Sequence, residues 1–302
     1  MRATDRTGLA IILSLVALTL FDAMGLIIKH LSEVYSAAEL SAWRNLFGLI
    51  PSIIALWTSK VWHKTGRRLK IRQWKLALLR GAVVTFAQLS FYMALGLMAF
   101  ATASTITYAS ALFTTALAIP ILGERVGWVR WGAVLVGFVG VVMVIKPAGE
   151  GFNWYALLPL AAAAFYALVG VTARLFDDDV PSPLVNLYAS TTSVIGATLI
   201  AYFWGGFTPI ASTSDMGWIM LMGMLGGTAV LFLVVSYRMT EQSNLAPFSY
   251  FGIPLAFLLG WLFFDEAPWG TLFPGAVLIA SGGLLIVWRE RSRSKPVPKL
   301  YQ

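Results

Sequence analysis

Long apolar stretches, separated by short polar connections, make up most of the chain. They can be drawn at residues 8–29, 39–58, 75–98, 102–121, 128–145, 154–173, 183–204, 216–237, 245–264 and 269–288. As an α-helix rising ~1.5 Å per residue, each can cross the roughly 30 Å of hydrocarbon in a bilayer. A transmembrane β-barrel would instead need short segments of alternating polarity. The pattern therefore predicts an all-α membrane protein with ten transmembrane helices, several of them joined by tight turns.

Composition argues against a soluble globular domain. The chain is 58% hydrophobic and 12% charged, whereas a soluble domain carries about 25% charged residues. There is no cysteine, and the two histidines are His30 and His63. Little material is thus available for a metal site or for a nucleophile paired with a base. We expect no bound metal and no cofactor.

The basic residues predict the orientation, because cytoplasmic connections are enriched in lysine and arginine. With the N-terminus inside, the 22 basic residues all lie on the cytoplasmic side except Lys29, Lys146, Arg44 and Arg80. Both termini are therefore expected in the cytoplasm, with the chain in a bacterial-type plasma (inner) membrane. The first apolar stretch is expected to remain as an uncleaved helix. The basic patches are expected to face anionic lipid, and no nucleic-acid partner is expected.

A repeat relates the two halves of the chain. An ungapped overlay of residues 97–124 on 239–266 aligns Tyr108 with Tyr250 and Glu124 with Glu266. With one inserted residue, Gly-Ala-Val-Leu at 132–135 then matches 275–278. Each half holds five apolar segments, and an odd number turns the second copy upside down. We expect a first repeat at 1–147, an inverted second repeat at 148–288, and a basic cytoplasmic tail at 289–302.

The chain resembles the drug/metabolite transporter superfamily, EamA type, over nearly its whole length. The residues that carry the resemblance as an ensemble are Lys29, Arg44, Tyr92-x-Ala94, Ala-Thr-Ala-Ser at 101–104, Leu-Gly-Glu at 122–124, Pro254, Asp265-Glu266 and Gly282-Gly283. The resemblance implies ten helices and secondary transport of a small organic solute, without implying which solute. The chain departs from the pattern at Leu112, which stands where the second half has Pro254. The helix bend expected in both halves is therefore in doubt for the first.

Ionisable side chains within the hydrocarbon are candidates for function, because inserting one costs roughly 2.5–3.5 kcal/mol. Asp22 lies in the second half of the first helix. It is interpreted either as a carboxyl that exchanges a proton or meets a cationic solute, or as a structural partner of Lys29 or Arg44. Arg44 either binds a carboxylate or phosphate of the solute or extends to the outer headgroups. Arg80 is expected to extend to the cytoplasmic headgroups.

Deep tyrosines are expected to face the bundle interior or a wet cavity, since a hydroxyl in hydrocarbon needs a partner. These candidates for solute binding are Tyr92, Tyr108, Tyr166, Tyr188 and Tyr250. Because Tyr108 and Tyr250 are related by the repeat, they are expected to face each other across a central pocket. Further polar candidates for the lining are Gln88, Asn186 and Ser249. Hydrogen bonds between helices are the alternative for these three.

Two glutamates stand at helix breaks. Glu124 and Glu266 each precede the last helix of their half. Negative charge is favoured at a helix N-terminus, so each is expected to cap the helix that follows it. Glycine pairs such as Gly137/Gly140 and Gly223/Gly227 predict close contacts between helices.

These observations favour a secondary active or facilitative transporter that works by alternating access. The expected solute is a small organic metabolite: an amino acid, or a cofactor-like molecule such as riboflavin or S-adenosylmethionine. The proton is the candidate coupling ion, and the protein is expected as a monomer or homodimer. One alternative is an intramembrane enzyme, which would have only hydroxyls and Asp22 to work with. The other is a non-transporting membrane receptor, for which the sequence offers no extracellular ligand-binding domain. We therefore expect no enzymatic activity.

Overall fold

The computed structural model describes residues 7–64, 66, 69–123, 127–145, 154–177, 180–239, 245, 248 and 250–293. This part of the chain forms helices and turns and contains no strand. Its α-helices are α1 (Thr7–Leu31), α2 (Ala37–Trp57), α3 (Lys60–Lys64), α4 (Trp74–Leu97), α5 (Phe100–Thr107), α6 (Ser110–Leu122), α7 (Trp128–Ile145), α8 (Leu157–Thr172), α9 (Ser182–Phe203), α10 (Thr213–Met239), α11 (Gly252–Phe264), α12 (Trp269–Leu272) and α13 (Gly275–Arg293). Short 3₁₀ helices at Trp154–Ala156 and Ala173–Leu175 flank α8.

The helices are long and apolar enough for a multi-pass membrane protein. Candidate membrane spans are Gly8–Leu31, Ala37–Trp57, Trp74–Leu97, Phe100–Leu122, Trp154–Thr172, Pro183–Phe203 and Thr213–Leu233. Shorter apolar helices cover Trp131–Ile145, Gly252–Phe264 and Gly275–Leu285. The predicted stretch 102–121 forms two helices, α5 and α6, that together make one span. The all-helical membrane class is confirmed.

Helices from the two halves of the chain interleave. Helix α1 lies on α10 and α11, while α4 lies on α8 and α9. Helix α2 packs on α9 and α10, and α6 packs on α8. Helix α5 contacts α11, and α7 pairs with α13. Most of the contacts between helices thus lie between the halves.

We call the end of the bundle that holds the C-terminus of α1 the Lys29 end. Here Ser36 starts α2 with a capping box: its hydroxyl accepts from Glu39 N at 3.3 Å, and the Glu39 carboxylate accepts from Ser36 N at 2.7 Å. The same carboxylate accepts from Thr208 N. The Tyr35 hydroxyl donates to Asp215 at 2.8 Å. These bonds tie the connection after α1 to the start of α10.

We call the opposite end the Tyr188 end, because Tyr188 lies in the first turns of α9. An apolar cluster at this end joins the C-terminus of α2, the N-terminus of α4 and the start of α9. Its buried members are Leu56, Trp62, Ile71, Ala77 and Leu184. Helix ends from both halves of the chain are therefore packed together at this end as well.

Both halves are interrupted at the repeated tyrosine. Between α5 and α6, Ala109 N donates to Ile106 O at 3.0 Å, and Ala111 N donates to Tyr108 O at 3.4 Å. In the second half, the same two bonds run from Phe251 N to Phe248 O at 3.1 Å and from Ile253 N to Tyr250 O at 3.1 Å. Bonds of this spacing belong to a tightened, 3₁₀-like turn. They occur at the positions that the ungapped sequence overlay equates.

Pro254 does not cause the interruption. It lies in the first turn of α11, where a missing N–H costs no intrahelical hydrogen bond. The first half, with Leu112 at the matching place, is interrupted at the same level. The bend is therefore not confined to the second half, and it depends on the local turn around the tyrosine rather than on proline.

The helix after each interruption ends in the same way. Gly123, with φ 68°, closes α6, and Asp265, with φ 54°, closes α11. The amide of Gly123 donates to Ile119 O at 3.0 Å, and that of Asp265 donates to Trp261 O at 3.1 Å. This left-handed conformation suits glycine and is tolerated by aspartate. The sequence difference between Gly-Glu and Asp-Glu thus keeps one backbone geometry.

Glycines allow close approach of helices, as predicted. A Cβ atom on Gly140 would stand 2.6 Å from Gly275 O and 2.8 Å from Ile279 N, both on α13. A Cβ atom on Gly227 of α10 would stand 2.8 Å from Gly48 O of α2. Backbone atoms cannot move aside as flexible side chains can, so these contacts require glycine.

We expect Gly140→Ala to destabilise the protein by about 1–3 kcal/mol, because the added methyl group would force α7 and α13 apart. The matched control is Gly132→Ala on the same helix, where a Cβ atom meets nothing within 4 Å. That change should leave stability the same or raise it by up to ~1 kcal/mol, since alanine is the better helix former. Thermal unfolding in detergent measures both. Equal melting temperatures for the two variants would contradict the packing account.

Candidate functional site

Arg44 is buried in the bundle. Its side chain is 6% exposed, and one terminal nitrogen of its guanidinium donates to the Asn45 side chain at 3.0 Å. Across from it on α10, a Cβ atom on Gly226 would stand 2.7 Å from Arg44 Nε and 2.6 Å from Met24 Sδ. The absence of a side chain at Gly226 therefore leaves room for the guanidinium. Arg44 does not extend to the headgroups, so that alternative is wrong.

A buried polar network holds Arg44 in place. The Gln88 carbonyl oxygen of α4 accepts from Asn45 Nδ2 at 2.5 Å and from the Ser41 hydroxyl at 2.9 Å, both on α2. The Asn45 carbonyl oxygen accepts from Arg44, so one amide links the arginine to Gln88. Gln88 thus forms hydrogen bonds between helices, the alternative given for it above. Preorganised in this way, the arginine has a fixed orientation.

Two candidate tyrosines lie close to Arg44. Tyr92 is 1% exposed, and the hydroxyls of Tyr92 and Tyr166 both lie within range of the charge on Arg44. Arg44 Nε has no hydrogen-bond partner among the described residues. A buried donor without a partner costs about 1–3 kcal/mol. A cation with a spare donor beside two phenols is chemically suited to an anionic or planar group of a solute.

Asp22 lies elsewhere, near Tyr108. It is 6% exposed, and its Oδ2 atom has no hydrogen-bond partner within the described ranges. Tyr108 lies within range of a charge on Asp22. On α1, Asp22 and Met24 are separated by about 200° around the helix axis, so Asp22 faces away from the Arg44 side. Over the described residues, neither Lys29 nor Arg44 forms an ion pair with Asp22.

Lys29 instead pairs with Glu266, across the two halves of the chain. Its Nζ atom lies 2.9 Å from Glu266 Oε1. The same ammonium donates to Met98 O at 2.8 Å and to Leu95 O at 3.3 Å, at the C-terminus of α4. It also lies 5.2 Å from the centre of the Phe264 ring. The ammonium therefore donates hydrogen bonds to carbonyl groups at the C-terminal end of α4, where such groups lack intrahelical partners.

Glu266 caps a helix other than the expected one. Its Oε2 atom accepts from Phe100 N at 2.9 Å, at the start of α5 in the first half. The helix that follows it, α12, has Pro268 at its N-cap position and no side-chain cap. The prediction that Glu266 caps the next helix is thus wrong, because its carboxylate lies beside the N-terminus of α5. Glu124 and Ser249 lie outside the described residues.

Several expected lining residues have structural partners. The Tyr188 hydroxyl donates to Leu69 O at 3.1 Å, in the connection before α4, far from Arg44 along the bundle. The Asn186 side chain donates to the Ser52 hydroxyl at 2.8 Å, which joins α9 to α2. Arg80 Nε donates to Val169 O at 3.2 Å, which joins α4 to α8. Tyr188 and Asn186 are therefore not brought together with Arg44.

The repeated tyrosines pack against glycines. The Tyr108 hydroxyl occupies the position that a Cβ atom on residue 252 would take, and the Tyr250 hydroxyl occupies the corresponding position at Gly283. Both rings belong to one apolar cluster with Ile253. They share a cluster, as their relation by the repeat suggested, but each hydroxyl is directed at a glycine rather than across a pocket at the other.

Sequence reasoning missed two buried hydroxyls. Ser104 Oγ and Thr105 Oγ1 have no hydrogen-bond partner in the part of the chain described here. Serine and threonine in membrane helices commonly bond to their own backbone, so their presence alone carries little signal. The spacing of Phe100, Ser104 and Tyr108, four residues apart on one helix face, is the signal that could have found Ser104.

Comparison with known proteins gives consistent results. The EamA-like transporter family matches residues 8–146 and again 153–288. An S-adenosylmethionine uptake transporter of Rickettsia felis is 27% identical over 95% of each chain. A riboflavin transporter of Rhizobium johnstonii is 34% identical over 58% of this chain and 57% of its own. A pseudopaline exporter of Pseudomonas aeruginosa is 24% identical over 89% of this chain and 92% of its own.

A solved crystal structure shares the fold. It superposes with a TM-score of 0.66 over 95% of this chain and 99% of the other, at 20% sequence identity.

We expect Lys29→Met and Glu266→Gln each to lower the free energy of unfolding, and the double variant to lose less than the sum. The coupling should lie between about 0.5 and 3 kcal/mol, because the two charges contact each other directly. Denaturant unfolding in mixed micelles of the wild type, both single variants and the double variant measures it. Strict additivity would show that the pair contributes nothing. Lys75→Met, at an exposed lysine on α4, is the control for loss of a lysine charge.

We expect Gly226→Ala to weaken solute binding at least tenfold, because the added methyl group would displace the Arg44 guanidinium and Met24. Gly217→Ala on the same helix, where a Cβ atom meets nothing within 4 Å, is the matched control. Ligand-induced shifts in melting temperature measure the affinity of each variant. Unchanged affinity in Gly226→Ala, with a correctly folded protein, would remove Arg44 from the binding site.

Proposed function

The chain belongs to the EamA-like transporter family, and on that premise we propose that it moves a small organic metabolite across a bacterial-type inner membrane by alternating access. In this proposal ten helices form two inverted five-helix repeats, with both termini in the cytoplasm. The solute binds near the middle of the bundle, between the halves, where transporters of this plan place their sites.

One observation carries the proposal most strongly: the main contacts between the two halves come in pairs that are related by exchange of the halves. Exchange of the halves replaces α1 by α8, α2 by α9 and α4 by α10. The contact of α1 with α10 then corresponds to that of α8 with α4, and the contact of α2 with α10 corresponds to that of α9 with α4. The contacts of α2 with α9 and of α7 with α13 join equivalent helices, so each of these contacts is its own counterpart. Such a bundle can adopt two states of similar energy, one open to each side.

The repeated turns supply a second line of support. Each half is interrupted at its tyrosine with the same hydrogen bonds, and each subsequent helix ends with a left-handed residue. Interrupted helices are typical of transporter cores, because backbone groups freed at the break can contact a solute or ion. The matched geometry favours equal roles for the two breaks when the halves exchange conformation.

For the solute, the surroundings of Arg44 favour a metabolite that carries an anionic group and a flat ring. The guanidinium has a spare donor, and two phenol rings stand close to it. S-adenosylmethionine, the solute named for the Rickettsia relative, has both a carboxylate and a purine. Riboflavin, named for the Rhizobium relative, has a flat ring without an acid. We propose S-adenosylmethionine or a related amino-acid derivative first, and riboflavin second.

For coupling, Asp22 is the proposed proton site. Its carboxyl is buried in α1, and Lys29, the nearest cation on that helix face, is engaged by Glu266. A proton bound at Asp22 would remove the cost of a buried unpaired charge. If one proton moves with each solute molecule, a gradient of one pH unit could then drive about tenfold accumulation of the solute. The reason is that 1.4 kcal/mol corresponds to a factor of ten.

Uptake of labelled S-adenosylmethionine and of labelled riboflavin into proteoliposomes, with and without a pH gradient, tests the proposal. We expect uptake of one solute and a dependence on the gradient that Asp22→Asn abolishes. Asp265→Asn is the matched control, because this exposed aspartate sits in a conformation that asparagine also adopts readily. An Asp22→Asn variant that transports with unchanged pH dependence would show that Asp22 is not the coupling site.

A further inference from the structure

Contacts at glycines show which residues of the two halves are equivalent. Between α2 and α10 these contacts include Gly223 with Arg44 and Phe47, and Gly227 with Pro51. Between α9 and α4 they include Gly81 with Ala189 and Thr192, and Thr85 with Gly196. The two sets have the same spacing along each helix. Exchange of the halves therefore replaces Gly223 by Gly81 and Arg44 by Ala189.

The equivalence extends to the beginnings of α10 and α4. Asp215 stands eight residues before Gly223, and Gln73 stands eight residues before Gly81. Asp215 lies in the first turn of α10, at the Lys29 end, whereas Gln73 is the N-cap residue of α4, at the Tyr188 end. One position of the repeat is thus present at both ends of the bundle, occupied by two different polar side chains.

At the Lys29 end, Asp215 takes part in a bridge between connections from the two halves. Its Oδ2 atom accepts from the Tyr35 hydroxyl at 2.8 Å, and that hydroxyl accepts from Ala211 N at 3.0 Å. Tyr35 lies in the connection between α1 and α2, and Ala211 lies in the connection between α9 and α10. We call these three residues the Tyr35 bridge. It joins the first connection of one half to the second connection of the other.

At the Tyr188 end, Gln73 forms the matching bridge. Its side-chain nitrogen donates to Leu175 O at 2.8 Å, and its side-chain oxygen accepts from Asp177 N at 3.1 Å. Leu175 and Asp177 lie between α8 and α9, in the counterpart of the connection between α1 and α2. We call these three residues the Gln73 bridge. Both bridges are formed in this structure, and the Tyr35 bridge contains a carboxylate where the Gln73 bridge contains an amide.

A second pair of equivalent residues lies beside the two bridges. Trp43 of α2 and Tyr188 of α9 are equivalent by the same spacing. The Trp43 ring lies 6.0 Å from the ring of Phe207, in the connection that leads into α10. The Tyr188 hydroxyl donates to Leu69 O, in the connection that leads into α4. The first turns of α2 and α9 are thus held to equivalent connections at opposite ends of the bundle.

The bridges lie where alternating access has to separate the protein. In each bridge the hydrogen bonds run between the two halves of the chain. Asp215 and Gln73 are only partly buried, so water can take the place of the lost partner when a bond breaks. Opening of either end between the halves would break the bridge at that end and leave the other bridge untouched.

We propose that Asp215 and Gln73 are repeat-equivalent gating residues. The Tyr35 bridge breaks when the Lys29 end opens, and the Gln73 bridge breaks when the Tyr188 end opens. In each open state the other bridge stays formed and holds its own end closed. The inference rests on the proposed function, because it assigns residues to the two gates of an alternating-access cycle. Both are positioning residues, which act by joining connections and not by contact with the solute.

The first test uses two equivalent reporter positions in a chain that has no cysteine of its own. Ile219 lies one turn beyond Asp215 on α10, Ala77 lies one turn beyond Gln73 on α4, and both are 0% exposed. Ile219→Cys and Ala77→Cys, each made alone, place a thiol beneath one bridge. The rate of reaction with a charged maleimide, measured on the full chain in lipid nanodiscs, reports how often that end opens.

Variants of the bridges are combined with each reporter. Asp215→Ala should raise the labelling rate at position 219 about fivefold without raising the rate at position 77, since losing a hydrogen bond shifts an equilibrium by roughly two- to tenfold. Gln73→Ala should raise the rate at position 77 about fivefold without raising the rate at position 219. Asp215→Asn, whose amide oxygen can still accept from Tyr35, should stay within about twofold of the wild type at both positions.

A cross-link separates gating from a purely structural role. Val34 and Ile210 are exposed neighbours of Tyr35 and Ala211. In the double variant Val34→Cys and Ile210→Cys, a short bis-maleimide should lower solute uptake into proteoliposomes at least tenfold, because the Lys29 end can no longer open. The same double variant treated with a monofunctional maleimide is the control and should retain uptake. A bridge that only stabilised the fold could be cross-linked without loss of uptake.

Two results would overturn the gating role. One is a pair of labelling rates that rise together, or that do not change, in folded Asp215→Ala and Gln73→Ala. The other is full uptake by the cross-linked double variant. If the melting temperature shows that Asp215→Ala does not fold, Tyr35→Phe takes its place, since it removes the hydroxyl of the same bridge. The proposed function would fail differently, through a wild type that accumulates no solute, and the labelling rates would still decide whether the two bridges open separately.

Discussion

A polar group placed in hydrocarbon needs a partner, and this requirement determines how the bundle is assembled. The clearest case is the pair of Lys29 and Glu266. Neither charge could remain alone at the membrane end of its helix without cost. Together they also satisfy the exposed carbonyls of α4 and an amide of α5. One ion pair therefore fixes the meeting point of four helices drawn from both halves of the chain.

The same requirement separates the scaffold from the candidate site. Most polar side chains in the interior have partners within the protein: Gln88 on Asn45, Asn186 on Ser52, and Tyr188 on a backbone carbonyl. Arg44 has one partner and a donor to spare, and Asp22 has an oxygen without a partner. Buried groups left incomplete in this way are costly, so their retention at the junction between the halves favours a role with the solute. Arg44 of α2 and Asp22 of α1 carry opposite charges at separate places in the bundle, which would suit a solute that carries both.

The sequence predicted the features that depend on local pattern. Apolar length located the helices, and glycine pairs such as Gly137/Gly140 located the close contacts, because both follow from membrane thickness and from side-chain size. Burial of Tyr92 and Asp22 also followed from their depth in apolar segments, whereas the sequence left Arg44 between the interior and the headgroups. The choice of partners did not follow. Glu266 caps α5, more than 160 residues earlier in the chain, and Tyr188 bonds at the end of the bundle, because these contacts depend on how the halves interleave. Ser104 was overlooked because a serine in a helix usually satisfies itself.

A transporter built on this plan opens the two ends of its bundle in alternation. Because the chain has no cysteine, pairs of spin labels can be introduced without background. One pair, at Val34 and Ala267, spans the Lys29 end; the other, at Lys70 and Trp128, spans the Tyr188 end. The measurement is the distance within each pair in lipid nanodiscs, before and after addition of a solute that proteoliposomes accumulate. Alternating access predicts that one distance grows while the other shrinks. Two distances that stay fixed, or that change in the same direction, would contradict it.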